Sequence, residues 1–103
     1  MRVIYVSGKY RGKDENEVFE NIVRAREVAV KLWLDGWGVI CPHTNSFFMG
    51  SKLGDKMFIE GDLEILRRSD AIYMLKGWEQ SEGARLEYNC AVELGLEIYR
   101  EVG

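Results

Sequence analysis

Apolar positions in this chain switch repeatedly between two spacings, and the switches outline its elements. Residues 2–6 alternate and are rich in β-branched and aromatic side chains, which predicts a first strand. Asp14 then offers an N-cap with Glu17 three residues on, and Val18, Ile22, Ala25, Ala29 and Leu32 recur at helical spacing. Arg24, Glu27 and Lys31 form the polar face, and Gly36 is placed to stop the helix. Trp37-Gly38-Val39-Ile40-Cys41 reads as a short buried strand. Residues 42–56 hold no clean period, so a loop is predicted there; its apolar cluster Phe47-Phe48-Met49 is read as a lid, a subunit contact or a satellite core. A short amphipathic helix follows over 57–68, then a strand over 70–75. A helix opening at Ser81 or Glu82 runs to about Leu94 and Gly95, and Glu97-Ile98-Tyr99 forms a last strand.

The resulting βαβαβαβ pattern, without linker or repeat, predicts one domain over residues 1–103. Its fold class is α/β: a small flavodoxin- or Rossmann-like three-layer sandwich with about four parallel strands and helices on both faces. Right-handed crossovers make 2-1-3-4 the most economical strand order. The loops after strands one and three then face one crevice, where ligands bind in such sheets.

Composition narrows the function classes. The 103 residues are 47% hydrophobic and 30% charged, with net charge -3 and both signs interspersed. That balance argues against nucleic acid as a partner, which requires a concentrated basic face. No apolar run is long enough for a membrane span, and the strand-like start is no signal peptide, so a cytoplasmic protein is expected. Cys41 and Cys90 have no zinc or redox spacing and are read as reduced thiols. Nothing near Cys41-Pro42-His43 completes a ligand set, so no metal is expected. In so short a chain a subunit interface would aid stability, and a homodimer or higher homo-oligomer is expected.

Candidate chemistry gathers at two turns. Ser7-Gly8-Lys9-Tyr10-Arg11-Gly12 follows the first strand; its glycine amides, the Ser7 hydroxyl and the Arg11 guanidinium would suit a phosphate. Turn geometry alone would explain the same glycines. Ser81-Glu82-Gly83-Ala84-Arg85-Leu86-Glu87 opens the last helix, with Ser81 as N-cap and Gly83 allowing close approach of a ligand. Glu87 lies about one and a half turns in, where the helix dipole should favour its carboxylate form; it is either a nucleophile or a solvated surface residue. Asp62 falls on the apolar stripe of Phe58, Ile59 and Leu66, so it is paired, functional or merely at the stripe's border. Two carboxylates in one cleft could divide nucleophile and acid roles. His43 is read as contacting a base or as a structural hydrogen-bonding residue. Tyr10, Trp78 and Phe47 are candidates for stacking on a base or for ordinary packing.

Taken together, Ser7-Gly8-x-x-Arg11-Gly12, Gly61-Asp62-Leu63, Ser69-Asp70-Ala71-Ile72 and Ser81-x-Gly83-Ala84-x-x-Glu87, with Ala91 and Gly95 after it, resemble the nucleoside 2-deoxyribosyltransferase superfamily over nearly the whole chain. The first loop and Ser81 look most like the branch that hydrolyses 2'-deoxynucleoside 5'-monophosphates. The Gly77–Glu87 stretch looks closest to a small phage and bacterial branch. The resemblance implies that Glu87 attacks C1' of the sugar and that Asp62 helps the base leave. It also implies that Ser7, Gly8, Arg11, Ser81 and Gly83 hold the 5'-phosphate; Gly12 is grouped with them on its place in the turn, and no cofactor is expected. Transferases of unphosphorylated nucleosides typically carry Asp where Ser81 stands, and Asp would repel a phosphate. Arg85 and Leu86 depart from the small and aromatic residues common before the catalytic Glu: Arg85 would add a phosphate contact or block part of the pocket. Glu82 would place a charge beside the phosphate loop. The family's fifth strand and terminal helix, which often reach a neighbouring site, are expected to be missing or reduced. The expected ligand is a nucleoside or nucleotide. N-glycosidic cleavage, by hydrolysis or base transfer, leads; a non-catalytic nucleotide-binding module and a non-binding oligomeric scaffold are the alternatives.

Overall fold

The computed structural model describes residues 1–45 and 54–102. The elements are β1 (Val3–Ser7), α1 (Glu15–Leu34), β2 (Gly38–Ile40), α2 (Pro42–Asn45), α3 (Asp55–Arg67), β3 (Ala71–Met74), a 3-10 turn (Trp78–Gln80), α4 (Glu82–Leu94) and β4 (Glu97–Arg100). All pairings in the sheet are parallel and the order is β2-β1-β3-β4, as the alternation predicts. β1 and β3 are central, with Tyr5 opposite Ile72 and Ser7 opposite Met74.

Alternation along β1 divides its side chains between two cores. Ile4 and Val6 pack with Ala25, Val28, Ala29 and Leu32 of α1 on one face. Tyr5 turns to the other face and packs with Leu66, Ile72, Met74, Ala84 and Ala91 among α3, β3 and α4. Ser7, two residues on, is 1% exposed and points the same way as Tyr5, toward α4. The crossovers thus bring a polar pair from the most buried strand against the helix that carries Glu87.

Helix ends follow the local chemistry. The Asp14 carboxylate accepts from the Glu17 N–H at 2.9 Å, and the Ser81 hydroxyl accepts from the Ala84 N–H at 3.1 Å. Gly36 (φ 96°) and Gly95 (φ 72°) take the left-handed conformation that ends α1 and α4. Within the predicted loop, Pro42 opens the short turn α2, consistent with its fixed φ at a first helical position. Phe47, Phe48 and Met49 lie outside the described residues. α3 starts at Asp55, two residues earlier than its apolar pattern indicates.

Candidate active site

A cleft of about 930 Å³ opens at the carboxyl ends of β1 and β3. Its walls are the first loop from Gly8 to Lys13, the α3 face carrying Phe58, Asp62 and Leu63, and, at the start of α4, Ser81 to Ala84 with Leu86 and Glu87. Asp62 and Glu87, 25 residues apart, line the same space.

Glu87 is held from the sheet. The Tyr5 phenol donates to Oε2 at 2.5 Å and the Ser7 hydroxyl donates to Oε1 at 2.6 Å. Each carboxylate oxygen therefore has a fixed donor, which sets the rotation of the group. Burial pushes the Glu87 carboxyl up to about 7; the Ser7 and Tyr5 hydrogen bonds pull it down and the Asp62 charge pushes it up. The place near the start of α4, expected to favour the carboxylate form, is thus opposed by burial, which favours the neutral acid. Burial likewise raises Asp62 to about 6. The Tyr5 phenol is pushed far above its ordinary value, first by burial and then by the charges of Glu87 and Asp62, so it stays protonated and remains a donor.

The residues expected around an anion divide into two groups. Gly8, Arg11, Gly12, Ser81 and Gly83 line the cleft, with Lys9 and Lys13 beside them. Ser7 does not: its one hydroxyl proton goes to Glu87, so its expected place among phosphate donors is corrected to a place behind the carboxylate. Ser81 spends an acceptor lone pair on capping α4 and keeps its hydroxyl proton for a second partner. The glycines differ in kind. A Cβ on Gly8 would lie 2.6 Å from Leu75 and one on Gly12 would lie 2.6 Å from Glu17, so packing alone demands both. A Cβ on Gly83 would meet nothing closer than 3.9 Å, which leaves open space on the cleft side.

Tyr10 lines the cleft, is 42% exposed, and tilts against the His43 ring at a centroid distance of 5.7 Å. His43 also borders the cleft but is only 4% exposed. Its Nε2 lies 3.0 Å from the Lys9 carbonyl, which fixes the proton on that nitrogen; burial lowers its pKa and keeps it neutral. Trp78 stacks on Tyr88 at 4.6 Å instead of facing the cleft. Arg85 turns outward and donates to the Glu79 carbonyl at 2.7 Å, so it neither lines nor blocks the cleft, whereas Glu82 and Leu86 do line it.

Two polar groups at this site escaped the pattern of the sequence. Tyr5 reads as core, yet its separation of two from Ser7 on a strand already places both on one face. Asn21 interrupts the apolar stripe of α1 and is 8% exposed, a cost that signals a fixed partner. Among the described residues no cluster of three His, Cys, Asp or Glu could hold a metal ion, and no helix is long and apolar enough to cross a membrane.

Residues 2–100 match the family described as Domain of unknown function (DUF4406). No curated protein matches the sequence. Among solved structures, the chain is similar to the 2-deoxyribosyltransferase of the psychrotolerant bacterium Bacillus psychrosaccharolyticus, with TM-score 0.67 and 19% identity, covering 95% of this chain and 70% of that one. It is also similar to the 2-desoxiribosyltransferase of Leishmania mexicana, with TM-score 0.65 and 19% identity, covering 97% of this chain and 63% of that one. At this identity the likeness is one of fold, and it agrees with the four-stranded parallel architecture.

Proposed function

Because the chain belongs to the DUF4406 family, a domain of unknown function, its chemistry is read from its own site, and we propose that it cleaves the N-glycosidic bond of a (deoxy)nucleoside 5'-monophosphate. The observation that carries this reading is the Glu87 carboxyl, gripped by Tyr5 and Ser7 and set in a cleft with Asp62. A carboxylate so fixed is prepared for in-line attack on a sugar carbon. The names of the two structural neighbours point to deoxyribosyl transfer and support the same chemistry.

In the proposed reaction, ionised Glu87 attacks C1' and the C1'–N bond breaks. Its electron pair leaves with the base, which takes a proton from Asp62. The sugar is left as an ester of Glu87. Water then attacks C1' and loses its proton to the Asp62 carboxylate. The ester bond breaks and Glu87 is restored; in base transfer, a second base replaces the water. The 5'-phosphate would sit among Lys9, Arg11, Lys13, Ser81 and Gly83, where cations and a free hydroxyl proton meet the cleft. Attack needs Glu87 deprotonated and departure needs Asp62 protonated. With Glu87 at about 7 and Asp62 at about 6, kcat/KM should trace a bell that peaks between those values.

The test is release of free base from a panel of deoxynucleoside and ribonucleoside 5'-monophosphates, with Glu87→Gln as control. Release abolished by the substitution is the expected result. No release from any nucleotide, while nucleotides still raise the melting temperature, would make the protein a binding module instead.

A further inference from the structure

Three successive carbonyls of the first loop are held from behind. His43 donates to the Lys9 carbonyl at 3.0 Å. The Asn21 side-chain amide donates to the Tyr10 carbonyl at 3.1 Å and, more weakly, to the Arg11 carbonyl at 3.4 Å. Both donors are buried, at 4% and 8% exposure, and they belong to different elements, α2 and α1. Packing gives no reason for an amide at position 21: its neighbours on the stripe are Val18, Ile22 and Ala25, and an apolar residue would pack there without needing partners.

The consequence lies on the other side of the loop. In a trans peptide the carbonyl and the next residue's N–H point in opposite directions, and no peptide among the described residues is cis. Carbonyls of Tyr10 and Arg11 drawn toward Asn21 turn the N–H groups of Arg11 and Gly12 away from α1, to the side where this loop lines the cleft. Successive amides so turned form a concave anion-binding surface. It stands beside the side chains of Lys9, Arg11 and Lys13.

We propose that Asn21 is a positioning residue for the substrate's 5'-phosphate: it anchors the Tyr10 and Arg11 carbonyls so that the following N–H groups face the phosphate. The inference rests on the monophosphate reading above and adds to it a residue that never touches the ligand. The Asn21 side chain would set phosphate affinity through backbone direction alone, leaving the sugar and base contacts as they are.

Binding separates this role from a general structural one. Dissociation constants are measured in a Glu87→Gln background, which prevents turnover, for each of the four common 2'-deoxynucleoside 5'-monophosphates and for the matching unphosphorylated nucleosides. Asn21→Leu removes both donors without adding charge. The expected result is a loss of about tenfold or more for the monophosphates, the scale of one charge-assisted hydrogen bond, with nucleoside affinity unchanged within about twofold. Equal losses for both ligand classes would overturn the proposal, as would a retained preference for the monophosphate. If the background protein itself shows no monophosphate preference, the phosphate reading fails first and this inference with it. Should Asn21→Leu not fold, Asn21→Ser, which is smaller and cannot reach both carbonyls, is put through the same comparison with the same expected and overturning results.

Discussion

At Glu87, burial and hydrogen bonding act in opposite directions on one proton. Burial favours the neutral acid, and the two hydroxyl donors favour the carboxylate that the proposed attack requires. Removing a donor should therefore raise the Glu87 pKa further. Tyr5→Phe leaves the ring in its core position and deletes only the 2.5 Å hydrogen bond. A hydrogen bond to a charged group is worth about 1.5–3 kcal/mol, so the substitution should lower kcat about ten- to a hundredfold. It should also move the alkaline limb of the pH–rate profile to higher pH, because Glu87 titrates above Asp62 and the higher of the two values sets that limb. Steady-state rates across pH check both effects; an unmoved limb would mean that Tyr5 is core and nothing more. Ser7→Ala should act in the same direction through Oε1.

At the scale of elements, two glycines that look alike in sequence have opposite tasks. Gly8 closes a contact between the first loop and the residue after β3: an added methyl would lie 2.6 Å from Leu75, so Gly8→Ala should destabilise the fold by about 1–3 kcal/mol. Gly83 stands in the first turn of α4 with room around it. Gly83→Ala should leave stability unchanged or raise it by up to about 1 kcal/mol, yet weaken nucleotide binding by filling the cleft. Denaturant melts and nucleotide titrations of the two variants separate these effects. Both strands and helices were legible from the chain because periods of two and of about 3.6 identify which side chains must be buried together. The short turn α2 was not, because four residues are too few to show a period. Tyr5 and Asn21 were hidden for a related reason: each occupies a position where burial is expected, and only its polar atom, aimed at a partner 82 or 11 residues away, reveals its task. For Arg85 the sequence cannot tell which way a long side chain turns, and in the fold it turns to the Glu79 carbonyl.

For the molecule as a whole, the site is a source of instability that depends on pH. Glu87 has its ordinary value near 4.5 in the unfolded chain and about 7 in the fold, so the folded state retains a proton that the unfolded state releases between those values. The resulting stabilisation is complete below the lower value and is lost as pH rises through the upper one. The shift corresponds to a loss of order 3 kcal/mol. Asp62, raised from 3.8 to about 6, acts in the same direction. The melting temperature of the wild type should therefore fall between pH 5.5 and 8 more steeply than that of Glu87→Gln, and at pH 8 the variant should melt higher. Parallel curves would show that the buried carboxyl carries no such cost. The grip of Tyr5 on Glu87 also has a consequence for descent. Because the Tyr5 ring belongs to the core and only its oxygen to the site, a lineage released from selection for turnover can exchange Tyr5 for Phe and Glu87 for Gln without disturbing a single packed layer. Two conservative replacements would then leave a sturdier protein that lacks the proposed turnover.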